Sequence, residues 1–268
     1  MGCRPRLYAA LVLAATIACS PALAQQDGDD EGEGRAATVA SDVKDYVTAP
    51  LHARRPQWVR FGLGLGAIAL AYRYDDDVRE HFGTSIAPAG VSPDTNSGGD
   101  AALGALALGG TWLAAVLGDE GQGRREAGAM LEAAALSSAA AYALKEIAGR
   151  ERPYATADRS GFRSDGDAFP SLHTTAAFAI GSVLAESGDD RRRWLRRVLG
   201  YGLATATAYK RLDHDAHWLS DTVAGAALGV ATARFVMKRR ESDGARARWQ
   251  VLPQADGLTV AYTVDLRP

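Results

Sequence analysis

Long segments rich in alanine, leucine and glycine constrain the fold of this chain more than any other feature. They recur between residues 58 and 237 and contain few β-branched residues, which favours helices over strands. Polar clusters interrupt them, so the chain can fold back on itself several times. With 268 residues, 47% of them hydrophobic, the chain is long enough to bury a sizeable core. We therefore predict an all-α fold, a helical bundle of five to six core helices.

The predicted helices are separated by turns and glycine- or proline-rich loops. The segment over residues 87–100 contains two prolines and a pair of glycines, so it is predicted to be a loop. The helices are expected at Trp58 to Tyr72 with a polar extension from Tyr74 to Phe82, Ala101 to Leu117, Arg124 to Ala148, Thr174 to Glu186, Trp194 to Tyr209, and from His217 to Met237.

The C-terminal tail has a different pattern. Residues 248–253 and 258–264 alternate between apolar and polar side chains and are rich in β-branched residues. Asp256 and Gly257 lie between the two segments. This combination predicts a short C-terminal β-hairpin. The predicted tail covers residues 241–268, and the helical domain covers residues 58–240.

The first 24 residues have the organisation of a secretory signal peptide. Arg4 and Arg6 precede an apolar stretch, and Ala22-Leu23-Ala24 is a suitable cleavage site. Cleavage there removes both cysteines, so the mature chain has no thiol nucleophile or thiolate metal site. Cleavage before Cys19 with lipidation is the alternative. Either route predicts an exported protein of the periplasm or cell envelope.

Residues 25–57 form the next predicted region, an acidic linker and N-terminal segment. The formal net charge of the chain is −2, which gives no indication of a nucleic-acid partner. Several predicted helices are shorter than the roughly 20 residues that a bilayer requires. Arginine clusters at the helix ends nevertheless resemble a positive-inside pattern. We favour a soluble or peripherally associated domain, with an integral membrane domain as the alternative.

Candidate chemistry is densest between Lys210 and Asp221. A helix starting here would place His217 and Asp221 four residues apart on one face. A carboxylate in that position can bond one imidazole nitrogen and leave the other basic, as a nucleophile or base requires. Arg211 could hold an anion. The alternative is a solvated helix start, and the carboxylates Asp213 and Asp215 are secondary candidates.

Two further polar clusters lie at predicted helix ends. Lys145 and Arg152 are seven residues apart, so both would project from one helical face before Pro153 ends the helix. Two cations so placed suit a multiply charged anion, although a basic last turn also complements the helix dipole. Ser171 and His173 follow a loop, predicted to be flexible, over residues 154–168. Ser171 could cap the next helix or bond a phosphate oxygen, and His173 could donate a proton.

Together the clusters carry a recognisable pattern: Lys-x6-Arg-Pro, Pro-Ser-x-His and Arg-x5-His-x3-Asp. It resembles the type 2 phosphatidic acid phosphatase (PAP2) superfamily, which also includes vanadium haloperoxidases, over roughly residues 101–239. Two positions depart from the family pattern. Leu172 replaces a glycine, and Lys210 replaces a serine, where it could add a fourth cation or be solvated.

The resemblance implies roles for the matched residues and a helical fold of the PAP2 type. It implies His217 as the nucleophile, oriented by Asp221, and His173 as the general acid and base. It implies phosphate binding by Lys145, Arg152, Ser171 and Arg211, with no metal or cofactor. His214 is expected to be peripheral, and His52 and His81 to lie on the surface.

The implied activity is a metal-independent phosphatase of the acid phosphatase or phosphatidate phosphatase type. Its substrate would be a phosphorylated small molecule or lipid, a monoester or a diphosphate, hydrolysed through a phosphohistidine, with vanadate as an inhibitor. A vanadate-dependent haloperoxidase using the same pocket is the alternative, with vanadate as cofactor. A non-catalytic envelope protein on a helical scaffold is a third hypothesis.

Overall fold

The structure is a computed structural model that describes residues 43–49, 55–82, 106, 109–110, 120–187, 192–242, 247–254 and 257–264. The chain divides into two units, residues 1–52 and residues 53–268. Residues 43–48 of the first unit are helical. The predicted signal peptide and most of the acidic linker lie outside the described residues, as do His52, the predicted loop over residues 87–100 and nearly all of the helix predicted over residues 101–117.

The described part of the second unit up to residue 242 is built from helices, which confirms the all-α prediction for this part of the chain. Each forms where a helix was expected, although most of the bounds differ. The helices are α1 (Arg55–Arg73), α2 (Asp75–Phe82), α3 (Glu120–Ala148), α4 (Leu172–Glu186), α5 (Arg193–Asp213) and α6 (Leu219–Ser242).

Two strands follow at the C-terminal end. They are β1 (Ala247–Gln254) and β2 (Gly257–Val264), and they pair antiparallel from Gln254 opposite Gly257 outwards. Only their backbone is described, so no side-chain packing supports the predicted hairpin, and it stays a prediction.

Helix α4 lies at the centre of the bundle and packs against α3, α5 and α6. Apolar side chains from three of these helices meet there, and larger ones such as Leu136 and Phe235 pack around them. Burying this surface is the main force that holds the helices together. The buried cluster consists of Ala129, Met130, Ala133, Ala179, Val183, Ala233 and Val236.

Glycines allow α4 to approach its neighbours closely. A Cβ atom on Gly181 of α4 would collide with the carbonyl oxygen of Gly200 of α5, and the reverse also holds. On α6, a Cβ atom on Gly229 would lie 2.8 Å from the backbone nitrogen of Ala179. Such close contact fixes the helix positions and therefore the relative positions of their ends.

Ion pairs connect the helices at the end of the bundle that carries the arginine clusters. Arg196 of α5 lies 2.6 Å from Glu126 of α3, and Arg240 of α6 lies 2.6 Å from Glu132. Within the described residues, one helical stretch, Arg125–Ala148, is long and apolar enough to cross a membrane, with 39% of its most apolar window buried. A core helix of a soluble protein passes the same test.

Helix α3 ends at Ala148, as its apolar segment predicted, and does not continue to Pro153. There Gly149 adopts a left-handed φ of +53° and its N–H donates to Lys145 O at 2.9 Å. Glycine adopts this conformation without steric cost, which makes it the usual residue after a helix end. The prediction that Lys145 and Arg152 share a helical face up to Pro153 is therefore wrong, and Arg152 lies in the loop.

Helix α6 starts later than expected. Lys210 and Arg211 belong to the last turn of α5, and α6 begins at Leu219. His217 therefore lies in the connecting segment, and only Asp221 lies in the first helical turn. The prediction that both residues lie on one helical face is wrong.

Candidate active site

The segment between α3 and α4 lies against the helix ends and is held by backbone hydrogen bonds. Arg163 N–H donates to Ala148 O at 2.9 Å. Further along, Ala168 N–H donates to Arg150 O at 2.8 Å. These bonds tie the loop that was expected to be flexible to the end of α3. The loop thereby brings residues 167–171 to the end of the bundle where α6 starts.

His217 is buried, with 3% of its surface exposed. Its Nδ1 lies 2.8 Å from the carbonyl oxygen of Ala168. A carbonyl oxygen can only accept a hydrogen bond, so Nδ1 carries the proton and Nε2 is the basic nitrogen. Asp221 Oδ2 lies 3.7 Å from the same Nδ1. The direct bond that fixes the tautomer therefore goes to Ala168, and Asp221 acts on the ring at longer range.

The surroundings of His217 disfavour its charged form. Burial lowers its pKa well below the usual 6.5, and the nearby cations Lys145, Arg152 and Arg211 lower it further, against an opposing effect of Asp167. The imidazole is therefore neutral at neutral pH. A neutral ring with a defined tautomer is the form that can act as a nucleophile.

Lys145 lies in the last turn of α3 with 7% of its surface exposed. Its Nζ donates a hydrogen bond to the backbone carbonyl of Asp167. Burial lowers the pKa of this ammonium group to about 8, although Asp167 acts in the opposite direction. Lys145 is therefore a buried cation that can lose its charge in mildly alkaline solution.

Arg152 forms a two-pronged ion pair with the side chain of Asp167. Its Nε lies 2.8 Å from Oδ1, and its Nη2 lies 2.8 Å from Oδ2. The arginine side chain is 12% exposed and the aspartate side chain 63% exposed. Partial desolvation raises the pKa of Asp167, but the hydrogen bonds and charge of Arg152 outweigh it, so the net pKa is lowered. Asp167 is therefore an ionised carboxylate beside the cations.

Ser171 is the N-cap of α4 and is fully buried. Its Oγ accepts hydrogen bonds from the N–H of Thr174 at 3.5 Å and from the hydroxyl of Thr174 at 3.0 Å. Its own N–H donates to Asp221 O at 3.0 Å, which joins the starts of α4 and α6. The capping role is confirmed, and the role in phosphate binding stays a prediction.

The remaining predicted residues lie at or near the same helix ends. Arg211 is buried in the last turn of α5, with 1% of its surface exposed. His173 is the second residue of α4 and is partly exposed. Lys210 is exposed, and so is His81, as expected. His214 caps the end of α5, Asp213 is exposed and Asp215 is partly buried.

Arg150 was not among the predicted residues, yet its hydrogen bonds connect the elements that form the site. Its side chain is fully buried, and Nη1 donates to Asp221 Oδ1 at 2.6 Å and to Ser220 Oγ at 2.7 Å. Its Nη2 donates to Asp75 Oδ2 at 2.7 Å. Arg150 therefore links α2 to the start of α6, and its charge stabilises the ionised forms of two buried carboxylates.

Three aromatic rings surround the Arg150 guanidinium group, those of Tyr72, Phe162 and Trp218, at 5.4, 4.9 and 5.2 Å. Such rings attract a cation through their negative faces. Burial raises the pKa of Asp221 to about 6, and Arg150 is the main group acting against this shift. Without Arg150, Asp221 would be a buried carboxylate with its main positive neighbour removed.

The geometry defines a class of protein, one with a site that can bind an anionic group and attack it. At the helix ends of an all-α bundle, a buried imidazole with a basic Nε2 lies near three cations, an arrangement that suits binding and attack of an anionic group. Within the described residues there is no group of three or more histidine, cysteine, aspartate or glutamate side chains that could hold a metal ion.

Comparison with known proteins agrees with this class. Residues 126–243, under half of the chain, match the profile of the PAP2 superfamily. Over these residues the helical domain is similar to the PAP2 superfamily.

A relative of known activity is the lipid A 1-phosphatase of Porphyromonas gingivalis. It is 37% identical over 82 residues, which cover 31% of this chain and 16% of that protein. The chain thus matches about a sixth of the length of this relative. No solved structure matches the chain.

Proposed function

We propose that this protein is a metal-independent phosphatase that hydrolyses phosphate esters through a phosphohistidine intermediate on His217. The hydrogen bond between His217 Nδ1 and Ala168 O carries the proposal, because it leaves Nε2 basic within reach of a cationic site. The match of residues 126–243 to the PAP2 superfamily and the activity named for the relative support phosphate ester hydrolysis. They do not favour the haloperoxidase alternative.

In the proposed reaction, His217 Nε2 attacks phosphorus and the ester oxygen leaves with a proton from His173. His173 then takes a proton from water, which attacks the phosphohistidine and releases inorganic phosphate. Asp221, held by Arg150, stabilises the positive charge that develops on the His217 ring. Charge on the phosphoryl oxygens is neutralised by Lys145, Arg152 and Arg211, with a hydrogen bond from Ser171.

We further propose that the substrate is a lipid phosphate and that the enzyme works at a membrane surface of the cell envelope, after export by the N-terminal signal sequence. The name of the relative supports a lipid substrate. Helix α1 supports membrane contact, because it exposes large apolar side chains that a soluble surface rarely concentrates. They are Trp58, Val59, Phe61, Leu63, Leu65 and Leu70.

Phosphate release from p-nitrophenyl phosphate and from phosphatidic acid in mixed micelles tests the activity, measured in EDTA on the full chain. We expect turnover without added metal, inhibition by vanadate, and a loss of at least roughly a thousandfold in kcat for His217→Ala. The matched control is His214→Ala, which removes the other imidazole of the same segment and is expected to keep wild-type activity.

Radioactive phosphate from a labelled ester should be trapped on the wild-type protein as an adduct stable to alkali and labile to acid. His217→Ala should trap none. Two results would overturn the proposal: halide oxidation that requires vanadate and peroxide without any ester hydrolysis, or equal turnover by wild type and His217→Ala.

A further inference from the structure

Asp167 has a position that the proposed reaction does not use. Its carboxylate accepts hydrogen bonds from both Nε and Nη2 of Arg152, and its backbone carbonyl accepts a hydrogen bond from Lys145 Nζ. One residue therefore contacts two of the three cations. Its side chain is 63% exposed, so this negative charge is accessible from solvent.

The charges around His217 can be counted from these contacts. Lys145, Arg152 and Arg211 contribute three positive charges, and the neutral ring of His217 contributes none. Asp221 and Asp75 share Arg150 in a separate buried network, which carries two negative charges and one positive charge and is not part of this cluster. Asp167 contributes one negative charge to the cluster of three cations and reduces the net charge of the cluster from +3 to about +2.

A net charge of about +2 matches a phosphate monoester, which carries close to two negative charges at neutral pH. A diphosphate ester carries more negative charge, and a fixed carboxylate beside the cations repels the excess. We propose that Asp167 is a specificity-determining residue that favours phosphate monoesters over diphosphate esters. This inference rests on the proposed phosphatase function and names the substrate class for the same site.

A purely positioning role for Asp167 predicts something different. The side-chain oxygen of asparagine can still accept a hydrogen bond from Arg152, so Asp167→Asn removes the charge while keeping size and one bond. If Asp167 only holds Arg152 in place, the variant weakens hydrolysis of both ester classes by a similar factor. If Asp167 sets specificity, the variant hydrolyses the diphosphate ester better relative to the monophosphate ester than wild type does.

The test compares wild type and Asp167→Asn on an isoprenyl monophosphate and the diphosphate of the same chain. We expect the ratio of kcat/KM, diphosphate over monophosphate, to rise on the order of tenfold in the variant, since one repulsive charge is removed from a partly exposed site. The matched control is Asp165→Asn, the same charge change in the same loop. Asp165 is exposed and has a φ of 57°, which asparagine tolerates, so its ratio should stay at the wild-type value.

Binding of inorganic phosphate and pyrophosphate, measured by calorimetry, gives a second readout without turnover. Asp167→Asn should bind pyrophosphate more tightly relative to phosphate than wild type does. An unchanged ratio in both measurements, or the same change in Asp165→Asn, would refute the inference. If wild type hydrolyses neither ester, the phosphatase proposal fails, and the binding ratios still decide whether Asp167 discriminates by charge.

Discussion

Lys145 is a residue whose charge depends on pH in mildly alkaline solution. Its pKa is lowered to about 8, so it loses its positive charge as the pH rises through this value. The proposed site then binds a phosphate ester less well, and kcat/KM, which reports the free enzyme, should fall above pH 8. In Lys145→Arg the guanidinium keeps its charge, so this alkaline decline should move up by more than one pH unit.

The pH profile of kcat/KM for a soluble ester checks this expectation. Lys210→Arg is the matched control, because Lys210 is an exposed lysine beside Arg211 at the same end of the bundle. Its profile should coincide with that of wild type. If the profile shifts in Lys210→Arg and not in Lys145→Arg, the alkaline decline arises from Lys210, which contradicts the expectation.

At this scale, the sequence pattern selected candidate residues but did not predict most of their contacts. The spacing of His217 and Asp221 predicted their proximity, and the 3.7 Å separation agrees with it. The bond to Ala168 could not be predicted, because any residue supplies a carbonyl and only the fold places one. The same holds for Arg150, whose partner Asp75 is 75 positions away and belongs to no local pattern.

Helix α6 depends on Gly229 to pack against α4. A methyl group there would lie 2.8 Å from the backbone nitrogen of Ala179 and closer still to the carbonyl oxygen of Thr175. Backbone atoms of a helix cannot move aside independently, so Gly229→Ala should lower the free energy of unfolding by about 1–3 kcal/mol. Urea denaturation of purified protein measures this change.

Gly202 of α5 is the matched control. It is exposed, and a Cβ atom added there meets no atom within 4 Å. Alanine is the better helix former, so Gly202→Ala should leave stability unchanged or raise it by up to about 1 kcal/mol. Equal destabilisation by both substitutions would show that the close contact of α6 with α4 is not the cause.

Apolar segments predicted the existence of the helices, whereas their ends required information from elsewhere in the chain. The apolar segment predicted that α3 ends at Ala148, whereas the pairing of Lys145 with Arg152 predicted an end at Pro153. The hydrogen bond from Arg163 N–H to Ala148 O accompanies the earlier end. At α6, the side chain of Asp221 accepts the Trp218 N–H at 2.8 Å, which organises the turn before the helix. The loop between α3 and α4 looked flexible because its composition does not reveal its hydrogen bonds to the end of α3.

For the molecule as a whole, the exposed apolar side chains of α1 predict attachment to lipid. Trp58 and Phe61 are 52% and 57% exposed, and their rings contact each other edge to face. Replacing both with serine should lower partitioning onto phosphatidylcholine vesicles at least tenfold, since about 25 cal/mol is lost per Å² of apolar surface. Vesicle sedimentation measures the partitioning, and turnover of a soluble ester should be unchanged.

Tyr142→Ser is the control, because Tyr142 is 44% exposed on α3 rather than α1. It should leave vesicle partitioning close to that of wild type. If the double variant partitions like wild type, α1 does not make the lipid contact. If turnover of the soluble ester is also lost, the substitutions have disturbed the fold, and an unfolding curve shows this directly.

Arg150 also determines how much of the chain must be kept together when it is shortened. The superfamily match begins at residue 126, whereas Asp75, which shares Arg150 with Asp221, lies far upstream of that boundary. A fragment that starts at the match would leave the arginine with one of its two buried carboxylates and expose the Ser220 hydroxyl group that Asp75 also accepts from. The smallest fragment that keeps the buried contacts of the candidate active site intact therefore begins before α2, outside the region that sequence similarity defines.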